Sequence, residues 1–89
     1  MTIHYLITGR VQGVGFRWWT KRQAPRYNIR GWVKNSPLDQ VEILAQGKDT
    51  DLAKFEQQLK IGPYMAVVDT IEKEELANHV IYQDFYIET

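Results

Sequence analysis

With 89 residues, 44% of them hydrophobic and 25% charged, the chain has the make-up of one small globular domain, residues 1–89, and is too short for a second. It contains no cysteine, which excludes a disulfide framework and a thiolate metal site and makes the cytoplasm the expected compartment. No charged leader followed by an apolar run opens the sequence, and no stretch nears the roughly 18 apolar residues of a membrane span, so no membrane partner is expected.

The net charge of 0 conceals a division. Residues 1–38 hold seven bases and no acid, and residues 39–89 hold four bases and 11 acids, +7 against −7. Such asymmetry points to an anionic partner, but two halves that lie together and neutralise one another would leave the same signature.

In chain order, Thr2 to Thr8 reads as a strand, and its segment Ile3-His4-Tyr5-Leu6-Ile7 is apolar on both faces, as in a central strand. Gly9-Arg10-Val11-Gln12-Gly13-Val14-Gly15-Phe16-Arg17 then packs three glycines and two arginines into nine residues. A helix follows from Phe16 to about Tyr27, with Phe16, Thr20, Ala24 and Tyr27 on one stripe. Pro25 removes a backbone donor and crowds the preceding turn, so the helix should kink or end near Ala24 to Tyr27, with Asn28 as the left-handed terminator. Ile29 to Lys34 and Gln40 to Gln46 read as two strands of a hairpin around Asn35-Ser36-Pro37-Leu38-Asp39.

Asp49 or Asp51 is suited to cap a second helix, whose buried stripe is Leu52, Phe55 and Leu59 and which Gly62-Pro63 stops. Ala66 to Ile71 and Val80 to Ile87 look extended, and the acidic run Glu72-Lys73-Glu74-Glu75 between them reads as a solvated connector. The order strand, helix, strand, strand, helix, strand, with room for one more strand, predicts an α+β, ferredoxin-like βαββαβ sandwich. Its antiparallel sheet carries both helices on one face, with the first and third strands central. The pattern leaves open which C-terminal segment supplies the fourth core strand.

The glycine stretch lies between a strand and a helix N-terminus. There several backbone N–H groups can point inward as an anion nest, and Arg17, in the first helical turn, can close it with a planar fork of donors. A turn whose glycines serve only backbone geometry would read alike. No Gly-Lys-Ser/Thr ends the stretch, and its Gly-x-x-x-Gly-x-Gly spacing is not that of a dinucleotide fingerprint. His4 and His79 stand 75 positions apart without a ligand pattern and are read as structural. Trp18, Trp19 and Trp32 are read as core and rim packing, and Arg10 as a contributor to the local positive field.

The string GRVQGVGFR, Ala24 and Gly31-Trp32-Val33-Lys34-Asn35 together resemble the acylphosphatase family, and Val41-Glu42, Ala45-Gln46-Gly47, Gly62-Pro63 and Ala66-x-Val68 extend the resemblance over essentially the whole chain. It implies hydrolysis of a small-molecule acyl phosphate to a carboxylate and inorganic phosphate, with no metal or other cofactor, by a monomer. The family's essential arginine falls on Arg17 and its essential asparagine on Asn35. Its main-chain phosphate cradle falls on Gln12, Gly13, Val14, Gly15 and Phe16. The chain departs from the family in having Leu38-Asp39 where Asp-Gly is common after the asparagine, which bears on where Asn35 sits.

Two other readings stand beside this one. The first is a non-hydrolytic acyl- or carbamoyl-phosphate-binding domain, like the one that opens the hydrogenase-maturation carbamoyltransferase. The second, an RNA-binding module of the same strand order, is disfavoured because Val41-Glu42-Ile43-Leu44-Ala45-Gln46 has an acid and no aromatic where such modules stack bases. No nucleic-acid partner is therefore expected.

Overall fold

The computed structural model describes residues 1–77 and 80–88. Five strands, β1 (Thr2–Arg10), β2 (Arg30–Asn35), β3 (Val41–Gln46), β4 (Val67–Leu76) and β5 (Phe85–Ile87), form one sheet in the order β4-β1-β3-β2-β5. Helices α1 (Phe16–Gln23) and α2 (Asp49–Ile61) join β1 to β2 and β3 to β4. Pairings among the first four strands are antiparallel and β5 lies parallel to β2, which gives the ferredoxin-like α+β arrangement with β1 and β3 in the centre.

Alternation along the strands and a 3.6-residue stripe along the helices meet in one core. Tyr5 and Ile7 of β1, Val33 of β2 and Val41, Ile43 and Ala45 of β3 are buried in a cluster with Phe16 of α1 and Leu52, Phe55 and Leu59 of α2. Thr20 is buried on the same stripe, where its hydroxyl donates to the Phe16 carbonyl at 2.8 Å and so leaves no polar atom unsatisfied. The Tyr5 hydroxyl donates to Glu56 Oε1 at 3.3 Å, and Lys73 Nζ donates to the same oxygen at 3.0 Å, tying α2 to β1 and β4. Burial, and then the neighbouring Glu56 carboxylate, hold the Tyr5 phenol well above its ordinary pKa.

The first helix ends as its sequence dictates. α1 stops at Gln23, Ala24–Tyr27 tighten into a 3₁₀ turn around Pro25, and Asn28 takes the left-handed conformation (φ 57°). Elsewhere the structure corrects the expectations. Strand β1 runs two residues beyond Thr8, to Arg10, through a register shift between Thr8 and Gly9. Gly9 is required there, since a Cβ would sit 2.1 Å from the Val67 carbonyl oxygen.

Neither Asp49 nor Asp51 caps α2. Lys48 holds the N-cap position without a side-chain bond, and both acids lie in the first turn, where they face the positive end of the helix dipole. Glu72-Lys73-Glu74-Glu75 is not a connector. It belongs to β4, the fourth core strand, which pairs with β1 on one side only and leaves these four side chains exposed. Backbone pairing to β1 holds the run extended despite its poor strand propensity.

Within Val80 to Ile87 only Phe85–Ile87 form a strand. The preceding segment is held by the buried Gln46, whose amide donates to the Val80 carbonyl at 2.7 Å and accepts from Tyr82 N–H at 3.0 Å. Trp19 packs edge-on against Phe16, with ring centroids 5.4 Å apart, and Trp32 is half-buried, but Trp18 is 65% exposed and belongs to neither core nor rim. His4 is structural, since its Nε2 lies 2.7 Å from Glu42 Oε2. His79 lies outside the described residues.

Candidate active site

The glycine stretch leaves the sheet at Arg10 and enters α1 at Phe16. Val11 and Phe16, at its two ends, are buried in the core and fix the turn by its flanks. Gly13 (φ 72°) and Gly15 (φ 78°) are both left-handed, and Gly15 is the N-cap of α1. A Cβ on either would meet no atom within 4 Å, so backbone conformation and not packing demands glycine at these two places.

The first helical donor to find an acceptor is Trp19 N–H, bonded to the Gly15 carbonyl at 3.0 Å. Among the described residues no acceptor takes the backbone N–H groups from Gln12 through Trp18. No acid lies in the first turn of α1, so its positive end is uncovered. A run of backbone donors without acceptors at an uncovered helix N-terminus is a favourable environment for an anion.

Arg17 and Asn35 flank this turn from two elements. Arg17 stands in the first turn of α1 and Asn35 at the last position of β2, opposite Val41, which also pairs with Ile7 near the end of β1. Both residues are half-buried, and neither side chain has a hydrogen-bond or ion-pair partner among the described residues. The fork of Arg17 therefore keeps its full donor capacity for a ligand.

The hairpin turn beside Asn35 stays in register although it lacks the glycine usual after this motif. Asp39 supplies the left-handed residue (φ 62°), and Ser36 N–H donates to the Gln40 carbonyl at 2.8 Å. The Gln12 side chain then bridges the two loops: its Nε2 donates to the carbonyls of Ser36 and Gln40, both at 2.9 Å. Gln40 Nε2 in turn donates to Thr8 Oγ1 at 2.9 Å. Sequence reasoning counted Gln12 only for its main chain and did not single out Gln40. The available signal was a long amide side chain in each of two loops that must meet.

The larger cleft, about 710 Å³, lies at the other end of the sheet, around Met1, Asn28, Arg30, Gly47 and Asp84, and includes none of the cradle residues. No cluster of three or more His, Asp or Glu side chains among the described residues could hold a metal ion.

Fold and loop geometry together define a small α+β sandwich with a glycine-rich turn at a helix N-terminus, Arg17 in the first turn of that helix and Asn35 at the end of the neighbouring strand. The family model Acylphosphatase matches residues 3–87. An acylphosphatase of Nitratidesulfovibrio vulgaris is 47% identical over 75 residues, which cover 84% of this chain and 75% of the relative. The crystal structure of an acylphosphatase from Bacillus subtilis superposes with a TM-score of 0.95 at 34% identity, covering 99% of this chain and 98% of that one. Full-length HypF, solved in a phosphate- and nucleotide-bound form, contains a similar unit: TM-score 0.91 at 32% identity over 99% of this chain but 12% of its own length.

The chain belongs to the acylphosphatase family, and it is an enzyme of that family. No helix among the described residues is long and apolar enough to cross a membrane.

Proposed function

We propose that this enzyme hydrolyses the carboxyl-phosphate bond of an acyl phosphate with the residues of the glycine turn, Arg17 and Asn35. The phosphoryl group sits on the main-chain donors of Gln12, Gly13, Val14, Gly15 and Phe16, and Arg17 grips two of its oxygens in a bidentate fork. Asn35 orients a water in line with the scissile bond, its carbonyl accepting from the water. As the water oxygen bonds to phosphorus, the bond from phosphorus to the acyl oxygen breaks and the carboxylate leaves. The water's proton passes to a phosphoryl oxygen. An acyl phosphate already has a good leaving group, so fixing the reactants and spreading charge are the tasks that remain.

The observation that carries this reading is the run of N–H groups from Gln12 to Trp18 without acceptors among the described residues, beside an Arg17 with no partner among them. Cradle, arginine and asparagine all come from one chain, and in this reading residues 1–89 act as a single domain and a monomer, in the cytoplasm and without a metal.

The test is hydrolysis of benzoyl phosphate and acetyl phosphate in the presence of EDTA, beside Arg17→Ala, Arg17→Lys and Asn35→Ala. Each variant should lose on the order of 10²–10³ in kcat. Arg17→Lys should lose nearly as much as Arg17→Ala, because a point charge does not replace the fork. Near-normal turnover by Arg17→Lys would refute its role. The match to one unit of HypF keeps a second reading in view, a non-hydrolytic acyl-phosphate-binding domain, which phosphate binding without turnover would establish.

A further inference from the structure

From Gly15, the last glycine of the cradle, a groove of about 300 Å³ runs along the outer face of α1, lined by Gly15, Trp18, Trp19, Arg22, Gln23 and Arg26. Its near end is open, since the space beside the Gly15 Cα holds no atom within 4 Å of a notional Cβ. Its wall is aromatic. Trp18 is 65% exposed, with Lys21 Nζ 5.4 Å from its ring centroid, and Trp19 is pinned edge-on by Phe16.

The far end of the groove is cationic. Arg22 and Arg26 are exposed and make no ion pair with any described residue, and residues 1–38 offer them no carboxylate. Arg22 follows Gly15 by seven positions, about 10 Å along the helix axis. Helical side chains lean back toward the N-terminus, which carries its guanidinium over the Trp18 turn. The Arg22 cation thus leans toward the glycine turn from a backbone position about 10 Å along the helix axis.

We propose that this groove seats the acyl part of the substrate and selects acyl phosphates whose acyl group is flat and carries a second negative charge. The ring lies against Trp18 and the distal anion against Arg22 and Arg26. The inference rests on the acyl-phosphate reading of the cradle.

Its test compares kcat/KM for 4-carboxybenzoyl phosphate with that for benzoyl phosphate, in the wild type, in the double variant Arg22→Gln/Arg26→Gln and in Arg30→Gln. Arg30, which does not line the groove, controls for the general positive field. The wild type should favour the carboxylated substrate by about 3- to 10-fold at low salt, an advantage carried by KM and erased as salt rises. The double variant should lose the preference, whereas Arg30→Gln should keep it.

A preference unchanged in the double variant, or lost equally in Arg30→Gln, would overturn the inference while benzoyl phosphate turnover left the cradle reading intact. A wild type that hydrolyses neither substrate would overturn both.

Discussion

Gln12 offers the sharpest test of how the two loops of the site are joined. Replacing it by alanine removes both hydrogen bonds from its Nε2 to the Ser36 and Gln40 carbonyls, each 2.9 Å long. At a net worth of roughly 1 kcal/mol per bond, the loss is about 2 kcal/mol of stability. For a chain of this size, that lowers Tm by about 8–16 °C. Gln12→Glu keeps the shape but presents only acceptors to two carbonyls, so it should destabilise at least as much, and its charge beside the cradle should also weaken phosphate binding.

In the proposed mechanism the effect on chemistry runs through Asn35, which is attached to the hairpin that Gln12 holds. A kcat lower by about 10-fold for Gln12→Ala corresponds to a loss of about 1.4 kcal/mol in positioning. Thermal unfolding followed by circular dichroism and steady-state hydrolysis of benzoyl phosphate measure the two effects separately. If Tm moved by less than about 2 °C and kcat by less than about twofold, the amide would not be what joins the two loops.

Two further predictions concern the frame. Gly9→Ala drives a Cβ to 2.1 Å from the Val67 carbonyl oxygen and should cost about 3–4 kcal/mol, whereas Gly15→Ala meets no atom and should cost only the left-handed strain of about 1–2 kcal/mol. Urea midpoints rank the two, and equal losses would contradict the packing account of Gly9. Tyr5 is held above its ordinary pKa of 10.0 by burial first and Glu56 second, so its contribution to stability is full below pH 10 and is lost as pH rises beyond that value, where only the unfolded chain releases the proton. Tyr5→Phe should therefore flatten the alkaline limb of urea stability between about pH 9 and 11, and parallel limbs for the two proteins would exclude Tyr5 as its source.

What could be read from the sequence was what depends on near neighbours. Phe16, Thr20 and Ala24 mark their helix face by spacing alone, and Pro25 with Asn28 ends the helix through local sterics. Asn35 could be placed because a hairpin of adjacent strands fixes it. The strand through Glu72 to Glu75 escaped because acids have poor strand propensity, and pairing with β1, some 70 residues earlier in the chain, decides the matter.

The role of Lys48 at the N-cap of α2 was hidden behind two better capping residues, Asp49 and Asp51, whose acids are used through the dipole instead. Trp18 was misjudged because residue type suggests packing while the helix face it occupies looks outward. The side chain of Gln12 could not be assigned because its partners, 24 and 28 positions away, are carbonyl groups, which every residue possesses.

Strand β4 has a consequence for the behaviour of many copies in one solution. It closes one side of the sheet, with an outer backbone edge that no other strand among the described residues covers, and such an edge invites a second chain to add to it. Asp69, Glu72, Glu74 and Glu75 lie exposed along that edge, with Lys73 among them. Two copies approaching edge to edge would bring like charges together and be turned away. Under the proposed function the uneven charge of the chain would divide two tasks: the basic portion would favour an anion at the glycine turn, and the acids along β4 would oppose edge-to-edge pairing.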